Sequence, residues 1–208
     1  MIYKQLDNNI RIDTWFPKSV YSVTNFHLNN LSLYENEIQS IQNKSNFSKH
    51  EDFDVISSHN KIDILNNSVF LDLKNDILQH AKNYLIQLGL SENKTNNLKV
   101  LNSWYNVSNK NDSVDKHIHW GSYLSGAYYI KSDKDDIIYF HKEDDMLEHQ
   151  DNINDLSFNR VAYECREGVL LLFKSNLNHS TNKHKGNGKI VISFNINLWL
   201  MTYMFLMI

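Results

Sequence analysis

Lys189-Ile190-Val191-Ile192-Ser193-Phe194-Asn195-Ile196-Asn197-Leu198 decides how this chain folds. From Ile190 to Ile208 there is no charged residue, and about 20 apolar residues are enough to span a bilayer. The pattern inside the stretch points elsewhere. Ile190, Ile192, Phe194 and Ile196 alternate with Val191, Ser193, Asn195 and Asn197, which is the two-residue period of a strand. Three polar alternates do not suit lipid. The segment therefore reads as a strand, with Lys189, Val191, Ser193 and Asn195 on one face and the apolar set packed against another layer.

The rest of the second half shares this period. Val100–Val107, Leu124–Ile130, Asp136–Phe140, Arg160–Cys165 and Val169–Phe173 are rich in β-branched and aromatic residues and separated by polar loops. The first half reads as helical. Ser32-Leu33-Tyr34-Glu35 has capping-box form before Leu33, Ile38 and Ile41. From Val69 to Leu88, residues Phe70, Leu73, Ile77, Ala81, Tyr84 and Leu88 share a helical face, and Gly89 suits a C-cap. Helices followed by six short strands predict an α+β, mainly β protein with helices on one face of a sandwich or barrel. A single domain is expected over 1–208. Its parts are a mostly helical segment 1–98, a β core 99–198 and an apolar tail 199–208 that packs on the domain or forms an interface, so a homo-oligomer stays open.

Composition fits this reading. The 208 residues are 41% hydrophobic and 22% charged, as in globular proteins. A net charge of −3 gives no basic field for nucleic acid. Cys165 is the only cysteine, so no internal disulfide forms, which fits a reducing compartment. Residues 1–13 lack the apolar core of a signal peptide. A cytoplasmic location without a membrane span is the expectation, and sequons such as Asn46-Phe47-Ser48 reflect the abundance of Asn.

The chemistry centres on histidine. His117-Ile118-His119 puts two imidazoles on the same side of an extended segment, where both reach one ion. Two surface histidines would give the same pattern by chance. His179, after the strand Val169–Phe173, supplies a third donor, and an open metal site needs about three protein ligands. Lys189, ten residues on, is a cation suited to an acidic co-substrate. The other candidates read as structural. His141 and His149 lie among acids in a loop, His184 lies in a Lys/Gly/Asn turn and is expected to be exposed, and Trp104 and Tyr105 suit core or pocket wall. Asn106 could line a site. Cys165 has no base beside it and is not expected to act as a nucleophile.

Taken in order, His117-Ile118-His119, Ser125-Gly126-Ala127-Tyr128-Tyr129-Ile130, Glu167–Ser175, His179, Lys189 and Ser193-Phe194-Asn195 resemble the 2-oxoglutarate- and Fe(II)-dependent dioxygenases. The likeness is greatest to a marine bacterial and phage group related to the prolyl hydroxylases. Trp15-Phe16-Pro17 and Ser103-Trp104-Tyr105-Asn106 also look like that group. The resemblance implies a double-stranded β-helix, or jelly roll, with the N-terminal helices on its outer face.

It also implies roles. His117 and His179 match metal histidines, Lys189 the basic residue that pairs with the distal carboxylate of 2-oxoglutarate, and Tyr129 and Ser193 hydroxyls beside that carboxylate. His119 departs from the family, which carries a carboxylate two residues after the first histidine. Direct ligation by His119 is the preferred reading. The alternatives are a contribution from Asp115 or an open ligand position. The implied activity is hydroxylation of an unactivated carbon with O2, releasing succinate and CO2. Two rivals remain at this stage: a cupin-like three-histidine dioxygenase without 2-oxoglutarate, and a binding module without turnover. The substrate is a small molecule or peptide, and the acidic loop between Ile130 and Arg160 would favour a basic one.

Overall fold

The computed structural model describes residues 2–5, 11–14, 18–45, 47, 49–50, 53–142, 158–186 and 188–198. Trp15-Phe16-Pro17, His149 with most of its acidic loop, and the tail 199–208 lie outside the described residues. The strands are β1 (Ile2–Gln5), β2 (Arg11–Thr14), β3 (Val20–Val23), β4 (Ile56–Ser57), β5 (Leu98–Ser108), β6 (Leu124–Lys131), β7 (Ile137–His141), β8 (Arg160–Glu164), β9 (Leu170–Lys174), β10 (His179–Thr181) and β11 (Lys189–Leu198). The helices are α1 (Leu31–Lys44), α2 (Leu71–Gln87) and the short α3 (Glu92–Thr95). All six strands expected in the second half are present.

A six-stranded antiparallel sheet runs β3-β9-β6-β11-β5-β4, and a three-stranded sheet runs β10-β7-β8. In the larger sheet β11 lies between β5 and β6, with Ile192 opposite Tyr105 on one side and Tyr128 on the other. Strand alternation then sorts the side chains. Ile190, Ile192, Phe194 and Ile196 join Tyr128, Leu170 and Leu172 in a core shared with Leu73, Ile77 and Ala81 of α2 and Ile38 of α1. Val191 joins Ala127, Tyr129, Leu171 and Phe173 in a second core with Ile138 and Phe140 of β7. Helices thus cover the outer face of the larger sheet, while its inner face meets the smaller sheet in a jelly roll.

Several local expectations need correction. The first half also contains strands, since β3 pairs with β9 and β4 with β5. Both are four residues or shorter, so they carry almost no periodic signal. Ser32 lies inside α1, whose N-cap is Asn30 without a side-chain cap bond, so the capping box does not form. Leu33 is exposed and Tyr34 is buried in its place. Gly89, with φ of +94°, does follow α2 in the left-handed region. No helix among the described residues is long and apolar enough to cross a membrane.

Gly126 lies where β6 crosses beneath the Phe194 ring. A Cβ there would press into that ring and come within 2.8 Å of the Leu171 carbonyl oxygen. The backbone oxygen has nowhere to go, so Gly126→Ala is expected to cost about 1–3 kcal/mol. Urea denaturation should show a lower midpoint with an unchanged slope.

Candidate metal centre

His117 and His179 sit on neighbouring extended segments joined by two reciprocal backbone bonds, His117 N–H to His179 O and His179 N–H to His117 O, both 3.0 Å. The His119 N–H donates to Ser175 O at 2.9 Å and holds the second histidine in the same extended run. The i, i+2 spacing then turns both rings toward His179. Ring centroids are 4.2 Å apart for His117 and His179 and 5.1 Å for each other pair. One nitrogen from each ring lies within 4.8 Å of the others.

The outer nitrogens fix the tautomers. His117 Nδ1 is 2.8 Å from Asp115 O, and His179 Nδ1 is 2.9 Å from Leu177 O. A carbonyl can only accept, so both nitrogens carry the proton. His119 Nδ1 is 2.8 Å from Asn195 Oδ1, while Asn195 Nδ2 donates to Asn102 Oδ1 at 2.8 Å, so His119 is held in the same way. All three Nε2 lone pairs then converge, with His117 and His119 Nε2 only 3.2 Å apart. Facing lone pairs at that distance repel unless a cation lies between them.

Burial keeps the rings neutral. Desolvation, then the charge of His117, pushes His119 down to about 4. Desolvation lowers His117 as well, and takes His179 well below the usual imidazole range. Neutral imidazoles with anchored outer nitrogens are the state a transition metal ion binds. The donor set of three nitrogens therefore fits a divalent ion such as iron(II). Asp115 offers a backbone carbonyl to His117, and its side chain is exposed outside the cluster.

The three histidines line a cavity of about 470 Å³. Lys189, Tyr129, Ser193 and Asn106 line it too, so all of the expected co-substrate residues share one chamber with the histidines. Trp104 stacks on His119 at 5.6 Å and forms part of the wall. Tyr129 is buried against Cys165, and desolvation raises both hydroxyl and thiol, the thiol to about 11, so Cys165 stays protonated at neutral pH. Ser193 Oγ lies 3.5 Å from Asn106 Nδ2.

Three residues differ from expectation. Lys189 already has an anion, because Asp136 Oδ1 lies 3.5 Å from its Nζ. His184 is 1% exposed and donates from Nδ1 to the same Oδ1 at 2.8 Å. His141 belongs to β7 and meets Ser180 Oγ at 2.8 Å. Sequence reasoning gave no role to Asn195, although it shares the Lys189 face of β11 and that alternation was the available signal.

Residues 102–195 match the family model described as "Putative 2OG-Fe(II) oxygenase". Over that span, which is less than half of the chain, the sequence is similar to the 2-oxoglutarate/iron(II) oxygenases. The resemblance is to oxygenases that depend on iron(II) and 2-oxoglutarate. No curated protein matches the sequence. Solved structures with the same fold include a Pseudomonas putida prolyl-4-hydroxylase, with TM-score 0.61, 11% identity and coverage of 86% of this chain and 93% of that one. HygX from Streptomyces hygroscopicus, solved with nickel, 2-oxoglutarate and hygromycin B, gives TM-score 0.58, 14% identity and coverage of 88% and 84%. The epimerase SnoN from nogalamycin biosynthesis gives 0.61, 11%, 86% and 77%. At these identities the likeness is one of fold, and the jelly roll of the oxygenase is common to all three.

The depressed pKa of His119 has a consequence for stability. Folded, the ring stays neutral down to about 4. Unfolded, it takes a proton below about 6.5. Between those values the unfolded state binds more protons, so stability falls as pH falls, by about 1.4 kcal/mol per unit for this group. Metal-free His119→Asn should therefore lose less stability than wild type between pH 6.5 and pH 4.5 in urea titrations. Equal losses would contradict a neutral His119.

Proposed function

We propose that His117, His119 and His179 hold the iron(II) ion and that Lys189, with Tyr129 and Ser193, receives the distal carboxylate of 2-oxoglutarate. The observation that carries this reading is the convergence of three Nε2 atoms, each on a ring whose Nδ1 is anchored to an oxygen. Three protein donors leave positions for a chelating oxo-acid and O2. Bound there, iron(II) lets O2 split between 2-oxoglutarate, which becomes succinate and CO2, and a substrate C–H bond, which becomes C–OH.

The chain's own residues do the positioning. The backbone bridge between His117 and His179 sets the spacing of two rings, and Asn195 orients the third. Trp104 shields one face of His119 from water. Lys189 contributes a point charge, which is less directional than an arginine fork, so the hydroxyls of Tyr129 and Ser193, which line the same cavity, would add orientation. Among the described lining residues Lys189 alone carries a formal charge. Phe53, Trp104, Asn102 and Asn106 are among the other lining residues, which supports an uncharged reacting portion of a small-molecule or peptide substrate. The acidic loop that suggested a basic substrate lies mostly outside the described residues.

One observation favours a second reading, a three-histidine dioxygenase that uses no 2-oxoglutarate. Asp136 neutralises Lys189 from within the protein, so a buried ammonium here does not by itself require a bound acid. The family match weighs against this reading.

Two sets of variants separate them. His117→Ala and His179→Ala should each lose stoichiometric iron, while His119→Asp should keep it, because a carboxylate replaces the imidazole donor. Retention of full iron by both alanine variants would refute the ligand set. Under nitrogen, 2-oxoglutarate added to the iron-loaded protein should produce a charge-transfer band. In Lys189→Ala that titration should shift to about ten- to a hundredfold higher concentration. An absent band in wild type, or an unshifted one in the variant, would favour the second reading.

A further inference from the structure

The Lys189 ammonium is 3% exposed and the Asp136 carboxylate 1%, so each is buried beside the other. Their contact is long, 3.5 Å from Nζ to Oδ1. The hydrogen-bonding capacity of Asp136 is spent mainly on others. Its Oδ1 accepts from His184 Nδ1 at 2.8 Å, and its Oδ2 accepts the Asp133 backbone N–H at 2.8 Å. These two short bonds fix the carboxylate in place whether or not Lys189 uses it. What Asp136 supplies to Lys189 is mostly charge. Meanwhile Lys189 remains part of the cavity wall, with donors left for a second anion.

We propose that Asp136 is a resident counter-ion for Lys189 that competes with the distal carboxylate of the co-substrate and holds its affinity down. The inference rests on the reading of Lys189 given above. Without a co-substrate, Asp136 keeps the buried cation paired, since an uncompensated ammonium in that position would be strongly destabilising. When a carboxylate enters, it shares one ammonium with a like charge fixed on the far side. Asp136 cannot retreat, because His184 and the Asp133 amide hold both of its oxygens. Removing its charge therefore strengthens the attraction of Lys189 for the incoming acid while weakening the empty protein. That combination is opposite to what loss of a merely structural residue produces, which is weaker folding and weaker binding together.

The test is Asp136→Asn in the full chain, iron-loaded under nitrogen, titrated separately with 2-oxoglutarate and with 2-oxobutyrate. The second acid has the same oxo-acid end and no distal carboxylate. The proposal expects 2-oxoglutarate to bind about tenfold tighter or more than in wild type, 2-oxobutyrate to be unchanged, and the metal-free variant to melt at lower temperature. Unchanged or weaker 2-oxoglutarate binding, or equal shifts for both acids, would overturn it. Lys189→Ala separates the two levels. If this variant still prefers 2-oxoglutarate to 2-oxobutyrate as wild type does, the Lys189 reading itself fails and the inference falls with it. If the preference is lost but Asp136→Asn binds no tighter, only the role of Asp136 is wrong. Should Asp136→Asn not fold, the double variant Asp136→Asn/Lys189→Gln decides. Recovery of the fold traces the collapse to an unpaired ammonium, as proposed, and continued collapse refutes the counter-ion role.

Discussion

Strand β11 has to bury one of its faces against helices, and that requirement organises the molecule. Ile190, Ile192, Phe194 and Ile196 are removed from water against α1 and α2. At about 25 cal/mol per Å² of apolar surface, such residues contribute roughly 1.5–3 kcal/mol each. A one-residue slip would expose all four and bury their polar alternates. The register that saves the apolar set sends Lys189, Val191, Ser193 and Asn195 into the cavity. Fold stability and site composition are therefore set by the same alternation.

The site uses that fixed face at two points. Asn195 orients His119, and Lys189 lines the cavity with Asp136 behind it. The other two histidines come from outside the larger sheet, joined by their own backbone bridge. The chemistry of a bound metal ion is tuned by what surrounds it. With His117, His119 and His179 as the proposed ligands the donor set would be neutral, and Asp136, behind Lys189, would supply the anionic charge at the proposed co-substrate end. With a dianionic co-substrate, iron(II) and the Lys189–Asp136 pair, the formal charges sum to zero.

Much of this was legible in the sequence because period-two alternation and the i, i+2 histidines are local signals. The six later strands were found within one or two residues of their observed ends, and α2 was found through its apolar face. The family resemblance added roles that alternation alone does not give. What stayed hidden depends on contacts between distant residues. Asp136 and His184 are 48 positions apart, and His184 sits in a polar turn whose burial comes only from packing. Strands β3 and β4 exist because β9 and β5 offer open edges, not because their own residues insist on it. The expected cap on α1 failed because the chain enters the helix two residues earlier, through Asn30.

The most direct measurement is a crystal structure of the protein prepared under nitrogen with iron(II) and 2-oxoglutarate. The account predicts one iron bound through Nε2 of His117, His119 and His179. It predicts the oxo-acid end of 2-oxoglutarate on the metal and the distal carboxylate against Lys189. A map with His119 turned away and another group in its place, or with the distal carboxylate directed away from Lys189, would contradict it.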